Sequence, residues 1–203
     1  MSLDWSLGEV EALSAKAARG AGRAYGVAQE AGYATAWLCA RGYDGAGAMA
    51  ALLRATEGVA HTDLGPEVAG PLCPLVLGCF LSDGGAWRDW ARPIHVPLIL
   101  APFVIPAQSA IILQAGQAGL KLSAQGALIG ADPGSDPVEV QISSCAPFDP
   151  QPLRSRAGVT PAARDALMAL AERTYAPATA ASRAKGAGDG GSAPHADVSP
   201  RTD

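Results

Sequence analysis

The stretch Ala-Ile-Ile-Leu-Gln-Ala-Gly-Gln-Ala-Gly-Leu-Lys-Leu-Ser, residues 110–123, decides the fold class of this chain. Two apolar arms, residues 110–114 and 120–123, stand on either side of a turn segment at residues 116–119. Glycine supplies the positive φ angles that a tight hairpin turn requires, so the pattern predicts two antiparallel strands joined by a turn. A sheet is therefore expected in the middle of the chain.

Further short apolar runs lie on both sides of this hairpin, separated by glycine, proline, aspartate and serine. Runs of this kind, without a helical period, are typical of strands. An edge or irregular strand is predicted over residues 94–105, which prolines interrupt. The other predicted strands are residues 75–81, 127–130 and 138–143. Together these runs predict a mainly antiparallel β-rich region over residues 72–145.

The first part of the chain, residues 6–56, follows a helical period. Ser6 and Glu9 have the spacing of a capping box, in which each side chain accepts a hydrogen bond from the other residue's backbone N–H. This pair predicts the start of a helix over residues 7–19. Two further helices are predicted over residues 24–40 and 44–56.

A last helix is predicted over residues 161–175, because Thr160 can cap its start and Pro161 suits the first helical position. Residues 184–203 are rich in small and polar residues and almost lack large apolar side chains, which predicts a disordered tail. The fold class is therefore α+β, with N-terminal helices, a central mainly antiparallel β region, a C-terminal helix and the tail. Residues 1–183 are expected to form a single domain.

The composition argues against several function classes. With 15 Lys and Arg residues, a net charge of −4 and an isoelectric point near 5.3, the chain lacks the basic surface typical of nucleic-acid-binding proteins. Its four cysteines form no Cys-x-x-Cys pair and are expected to be buried free thiols. The amino terminus shows acidic residues where a secretory signal would have a basic start and an apolar run. We therefore expect a soluble, cytoplasmic protein that does not bind nucleic acid.

The run from residue 94 to residue 120 carries no formal charge and is long enough to cross a bilayer. Pro97, Pro102 and Pro106 would each remove a helical hydrogen bond, and the glutamines of the run would need partners inside lipid. We therefore predict no membrane span and no membrane partner.

The most suggestive segment for function surrounds Lys16, Arg19 and Arg23, which have helical spacings and can present positive charge on one side. Gly20 and Gly22 allow a ligand to approach the backbone, and free amides at the start of the next helix would add affinity for an anion. A carboxylate or phosphate site is therefore one interpretation. The alternative is a solvated basic face followed by an ordinary glycine helix break.

The sequence shows no metal or cofactor signature. His61, His95 and His195 have no metal-ligand spacing, so neither a metal nor a cofactor is predicted. His61 precedes Asp63 by two residues and could act as a general base, although this spacing is common in loops. Cys145 follows a predicted strand and could be a nucleophile. The glycine motifs typical of hydrolases, dinucleotide sites and nucleotide triphosphate sites are absent.

Two groups of residues, one near each end of the chain, form a recognisable pattern. The N-terminal group includes Glu9, Leu13, Lys-Ala-Ala-Arg-Gly-Ala-Gly at residues 16–22, Gly26, Glu30-Ala31, Trp37-Leu38 and Gly42. The C-terminal group includes Arg173-Thr-Tyr-Ala-Pro177, Ser182-Arg183 and Gly186-Ala-Gly188. Both groups resemble a bacterial protein family of unknown function, about 200 residues long. The glycine-rich continuation after Asp189 departs from that pattern. The family has no established activity, substrate or catalytic residues.

The resemblance implies that the two ends belong to one structural plan and meet around Arg19, Glu30, Tyr175 and Arg183. Such a meeting could be purely structural, with an arginine paired to Glu30 and the Tyr175 hydroxyl bonded to a helix end. It could also form a ligand site. The predicted ligand-binding residues are then Lys16, Arg19, Gly20, Gly22, Arg23, Glu30, Tyr175 and Arg183.

Two functions remain open at this point. The first is a soluble binding or accessory protein of bacterial metabolism, which takes a small anion or carboxylate and associates with a protein partner or with a second copy of itself. The second is an enzyme that acts on a small carboxylated metabolite. In that enzyme Arg19 would hold the acid, and His61, Tyr175 or Cys145 would do the proton or nucleophile chemistry.

Overall fold

The computed structural model describes residues 2–65, 67, 69–87, 92–106 and 110–175. Within these residues the fold is α+β, as predicted, with helices first, strands in the middle and a helix near the end. The predicted tail at residues 184–203, Arg183 and His195 lie outside the described residues.

Three helices follow a short first strand, β1 (Leu3–Ser6). They are α1 (Leu7–Gly20), α2 (Tyr25–Ala40) and α3 (Gly45–Ala55), close to the predicted bounds. The capping box at the start of α1 is confirmed: the N–H of Glu9 donates to Ser6 Oγ at 3.2 Å, and the N–H of Ser6 donates to Glu9 Oε2 at 2.7 Å. Helix α2 is buried along much of its length, with Leu38 fully inaccessible, so these helices form the centre of the core.

Two of the predicted strands are wrong. Residues 75–81 belong to a helix, α4 (Pro74–Ser82), and most of residues 94–105 lie in a 3-10 helix, Pro97–Phe103. Proline occupies the first turn of both helices, a position where its missing N–H costs no hydrogen bond.

No helix in the described ranges has the length and apolar character needed to cross a bilayer.

The central hairpin is confirmed as β2 (Ala110–Ala115) and β3 (Ala118–Ser123). Ala115 pairs with Ala118, so the turn consists of two residues, Gly116 and Gln117, and is tighter than predicted. Gly116 has a φ of +57°, which favours glycine at this position.

Two more strands complete this sheet, and both were predicted. They are β4 (Leu128–Gly130) and β5 (Val140–Cys145), and all neighbouring strands in the order β4-β3-β2-β5 are antiparallel.

A second, two-stranded sheet was not predicted. Strand β1 pairs antiparallel with β6 (Arg156–Val159), and Arg156 Nε donates to the Asp4 carboxylate at 2.6 Å. Because β6 leads directly into the last helix, this sheet fixes the start of the chain beside the start of that helix.

The last helix, α5 (Pro161–Glu172), begins where predicted and ends three residues before the predicted residue 175. Thr160 caps it by accepting from the N–H of Ala163 at 3.2 Å. Helices α1 and α5 are in close contact, since a Cβ added to Gly20 would lie 1.8 Å from the backbone oxygen of Leu170. The end of α5 is therefore held against the end of α1.

Candidate functional site

A cleft of about 660 Å³ lies where the C-terminal half of α1 meets the start of α2 and the end of α5. We call it the α1–α5 cleft. One face of α1 contributes residues three and four positions apart, which a helix places on the same side. These are Ala12, Ala15, Lys16, Arg19 and Gly20, and the remaining lining residues are Gly22, Gln29, Arg173 and Thr174.

Three cationic side chains line the α1–α5 cleft: Lys16, Arg19 and Arg173. Arg173 Nη2 forms an ion pair with Glu57 Oε1 at 2.7 Å, with both side chains about half exposed. Within the described part of the chain, no carboxylate pairs with Lys16 or Arg19. Two positive charges in one cleft are therefore available to an anion.

The partners of Lys16 and Arg19 are aromatic rings and neutral oxygens. Lys16 Nζ donates to the Tyr175 hydroxyl at 3.2 Å and lies 4.7 Å from the centre of its ring. The Arg19 guanidinium lies 5.8 Å from the centre of the Tyr25 ring, and its Nη1 donates to the carbonyl of Arg23 at 3.3 Å. These contacts orient both cations without neutralising them.

Gly20 and Gly22 serve the backbone in two different ways. The N–H of Gly22 donates to Arg19 O and the N–H of Arg23 donates to Ala18 O, both at 3.0 Å, which is the Schellman motif that ends a helix. Gly22 has a φ of +85° and no atom within 4 Å of an added Cβ, so it faces the open cleft. Gly20 instead allows α5 to approach α1.

The first turn of α2 adds partial positive charge beside the cleft. Its cap residue, Ala24, has no side-chain acceptor, and Ala28 N–H, bonded to Ala24 O at 2.9 Å, begins the helical hydrogen bonds. The amides before Ala28 therefore have no partner inside the helix. Gly22 and Gln29, which stand before and after this turn, both line the cleft. A helix start of this kind favours an anion.

Arg23 was predicted to bind the ligand, but its side chain points into the interior and is only 2% exposed. Its Nη2 donates to Thr56 O at 3.1 Å and also bonds to the Thr56 hydroxyl, while Nη1 donates to Val59 O at 3.4 Å. Thr56 ends α3, so Arg23 satisfies carbonyls at that helix end. Desolvation by burial lowers the pKa of Arg23.

Glu30 also does not line the cleft as the structure describes it. It lies near Cys79 of α4: burial raises the pKa of Cys79 to about 11, and the Glu30 carboxylate acts in the same direction. The expected ion pair between an arginine and Glu30 is not present among the described residues. Successive residues of an α-helix point about 100° apart, so Glu30 faces away from the cleft side of α2, where Gln29 stands.

The three candidates for chemistry are not all brought together. Tyr175 reaches the edge of the cleft through its contact with Lys16. Cys145 ends β5 opposite Ala110 in the four-stranded sheet and is not a lining residue of the described cleft. The side chain of His61 lies outside the described residues. Among the residues that the structure describes, no group of three His, Cys, Asp or Glu could hold a metal ion.

The predicted ligand-binding residues did not include Gln29, Arg173 and Thr174, which line the cleft. A family model described as "Protein of unknown function (DUF3726)" matches residues 5–72. The comparisons with curated proteins and with solved structures gave no significant match. The helices α1 to α3, which include the Lys16 and Arg19 side of the cleft, are thus similar to a family of unknown function, whereas Arg173 and Tyr175 lie beyond the matched residues.

Proposed function

We propose that this chain binds a small organic anion, of the carboxylate class, in the α1–α5 cleft. One observation supports this most directly: Lys16 and Arg19, from one end of the chain, and Arg173, from the other, line a single cleft. Its volume of about 660 Å³ suits a small molecule. Positive side chains beside an uncapped helix start are a favourable setting for a carboxylate.

The shape and charge of the cleft narrow the ligand class. Ala12 and Ala15 form an apolar strip along α1 that leads to the cations at its end. Thr174 brings the C-terminal end of α5 into the lining, and helix C-termini carry partial negative charge. A ligand that has a short apolar part and a single carboxylate therefore fits this cleft better than a multiply charged phosphate ester does.

The wider role that we propose is that of a binding or accessory protein in the cytoplasm of a bacterial cell, associated with a protein partner or with a second copy of itself. All four cysteines are free, which fits a reducing compartment. The acidic isoelectric point near 5.3 fits a small-molecule or protein ligand better than a nucleic acid.

A second candidate is an enzyme acting on a small carboxylated metabolite, favoured by the contact of Tyr175 with Lys16 at the cleft edge. A phenol beside an ammonium group can transfer a proton to or from a bound substrate. Turnover separates the two functions. An enzyme should convert a carboxylated substrate, and Tyr175→Phe should abolish that turnover while it keeps binding. A binding protein should bind the carboxylate without turnover, both in the wild type and in Tyr175→Phe.

Amide NMR titrations of the full chain would test the proposed site. Butyrate should cause saturable shifts at Gly22, Gly26 and Arg173, whereas butyramide, which has the same shape without the charge, should not. Saturable binding of butyrate that shifts only amides remote from α1 and α5, or equal binding of butyramide, would contradict the proposal.

A matched pair of variants controls for nonspecific charge effects. Arg19→Gln should weaken butyrate binding by about tenfold, because it removes one charge-assisted hydrogen bond. Arg164→Gln makes the same change of charge on an exposed face of α5, where Arg164 pairs with Asp165 at 2.6 Å, and should leave the affinity unchanged.

A further inference from the structure

A second cleft, of about 560 Å³, lies at the opposite end of α5 from the α1–α5 cleft. It is formed by one face of α3, by His95 and by residues 135–137, with the first turn of α5 closing one side. The two clefts meet α5 at Thr160 and at Arg173, which the helical rise places roughly 20 Å apart. It is therefore a separate place for a ligand.

The lining of the second cleft carries one positive and one negative side chain, and neither forms an ion pair with another described residue. Among the described residues that line it, Arg54 and Asp136 are the two with a formal charge. Both are exposed, and neither forms an ion pair or side-chain hydrogen bond with any other described residue. A cation and a carboxylate that share a cleft without contacting each other leave space for a molecule that carries both opposite charges.

His95 supplies a further polar group to the lining of this cleft. Its Nδ1 is buried from solvent and has no hydrogen-bond partner in the described part of the chain, whereas its Nε2 is accessible to solvent. Burial lowers the pKa of His95, which favours the neutral form of the ring. The imidazole therefore adds a donor or acceptor without changing the charge balance.

The backbone holds His95 next to the Asp136 segment. The N–H of His95 donates to Leu72 O at 3.0 Å, and Ile94 pairs antiparallel with Val138, which brings His95 beside Pro137. Val96 has a φ of +40°, a left-handed conformation that β-branched residues rarely adopt. Surrounding packing keeps this strained residue buried, so the position of the imidazole is fixed by the fold.

The first turn of α5 offers a hydrogen-bond donor for a carboxylate. Thr160 caps the helix by accepting from Ala163, and Pro161 has no N–H. Ala162, which lines the cleft, is in the first turn, where an N–H has no acceptor inside its own helix. A carboxylate placed between Ala162 and Arg54 would satisfy both groups.

We propose that this second cleft binds a free amino acid or a similar zwitterion, with the carboxylate held by Arg54 and the Ala162 N–H and the ammonium group held by Asp136. The side chain of the ligand then lies along Ala50, Ala51 and His95. The site does not depend on the α1–α5 cleft, because the two share no lining residue.

NMR titrations of the full chain with L-alanine and L-glutamine would test this site, with the His95 ring signals as the reporter. Propionate is alanine without its ammonium group, and ethylammonium is alanine without its carboxylate. Both amino acids should shift the His95 signals saturably, and propionate and ethylammonium should each bind at least about tenfold more weakly. A failure of both amino acids to shift these signals, or equal binding of propionate alone, would overturn the proposal.

Variants assign the two ends of the ligand. Arg54→Gln and Asp136→Asn should each weaken amino-acid binding by about tenfold or more, whereas Arg164→Gln, which lines neither cleft, should have no effect. Because Arg54 and Asp136 are exposed and unpaired in the described structure, both variants should fold normally. Inorganic phosphate that binds more tightly than the amino acids, and still more tightly to Asp136→Asn, would indicate a plain anion site and contradict the assignment.

Discussion

The two glycines at the end of α1 show how neighbouring residues of one type can have different roles. At Gly20 any side chain meets the backbone of Leu170, with an added Cβ 1.8 Å from its oxygen. At Gly22 there is space for a side chain, but the φ of +85° is unfavourable for one. The sequence alone suggested that both allow a ligand to approach the backbone, and only Gly22 faces open space.

These roles predict an order of stability. Gly22→Ala should destabilise the fold by about 1 kcal/mol, because alanine is strained in the left-handed region. Gly20→Ala should destabilise it by about 3 kcal/mol, because α1 and α5 must move apart to relieve the overlap. Urea unfolding of both variants would measure the difference. An equal loss, or a larger loss for Gly22→Ala, would contradict the proposed contact between α1 and α5.

Glu57 competes with a bound anion for Arg173, since the two side chains are 2.7 Å apart. Glu57→Gln should therefore raise the affinity for butyrate by about threefold, as expected for removing one partly screened negative charge. Glu139→Gln, at an exposed site remote from the cleft lining, is the control for net charge and should have no effect. Equal affinity in the wild type and Glu57→Gln would show that Arg173 does not contact the anion.

The candidate site was predictable from the sequence only where helical spacing applied. Lys16 and Arg19 lie in one unbroken helix, so their shared face followed from their spacing. Arg23 lies four residues after Arg19, which is also a helical spacing, but the Schellman motif ends the helix before it and redirects its side chain to Thr56. Arg173 is distant in sequence, and no local pattern could show that α5 returns to α1.

At the scale of elements, three of the confirmed boundaries carry a local signal in the sequence. Ser6, Thr160 and the two-residue turn at Gly116 have local chemistry that fixes a boundary. Helix α4 is apolar on most sides because it packs within the fold, so it has neither a helical nor a strand period. Pro74, at its first position, was the signal that could have identified it.

The pairing of β1 with β6 could not be predicted for a different reason. Each strand has four residues, too few for a reliable alternation of apolar and polar side chains. Their partners are separated by most of the chain, as the pairing of Leu3 with Val159 shows. Only the folded core brings them together.

The capping box at the start of α1 gives a prediction for this element. Ser6→Ala should destabilise the protein by about 1 kcal/mol at pH 7, as is typical for the loss of an N-cap side chain. Urea unfolding would measure it, with Ser155→Ala at an exposed loop position as the control. No loss of stability in Ser6→Ala would mean that the box does not stabilise α1.

The same variant should respond to pH in a defined direction. Hydrogen bonds from the backbone and side chain of Ser6 lower the pKa of Glu9 in the folded protein. A lowered carboxyl pKa contributes stability above the pKa of the unfolded state and loses it as the pH falls through the folded value. Ser6→Ala keeps the backbone hydrogen bond and removes only the contribution of the Ser6 side chain. The difference between the wild type and Ser6→Ala should therefore become smaller as the pH falls below the unfolded pKa of glutamate, about 4.3.

At the scale of the whole molecule, α5 connects the two proposed sites. Its last turn meets α1 and α2 at the α1–α5 cleft, and its first turn meets α3 and His95 at the second cleft. Strands β1 and β6 fix the start of α5, and the close approach of Gly20 to Leu170 fixes its end. The sequence predicted that the two chain ends meet, and the contact of Lys16 with Tyr175 joins them at the cleft.

Calorimetric titration of butyrate into the wild type and into the double variant Lys16→Gln/Arg19→Gln, at low salt, tests the central claim most directly. Butyrate should bind the wild type saturably, and its dissociation constant should be at least about tenfold higher for the double variant, while the Arg164→Gln control keeps the wild-type value. The same affinity in the double variant and the wild type would contradict the assignment of the α1–α5 cleft as the anion site.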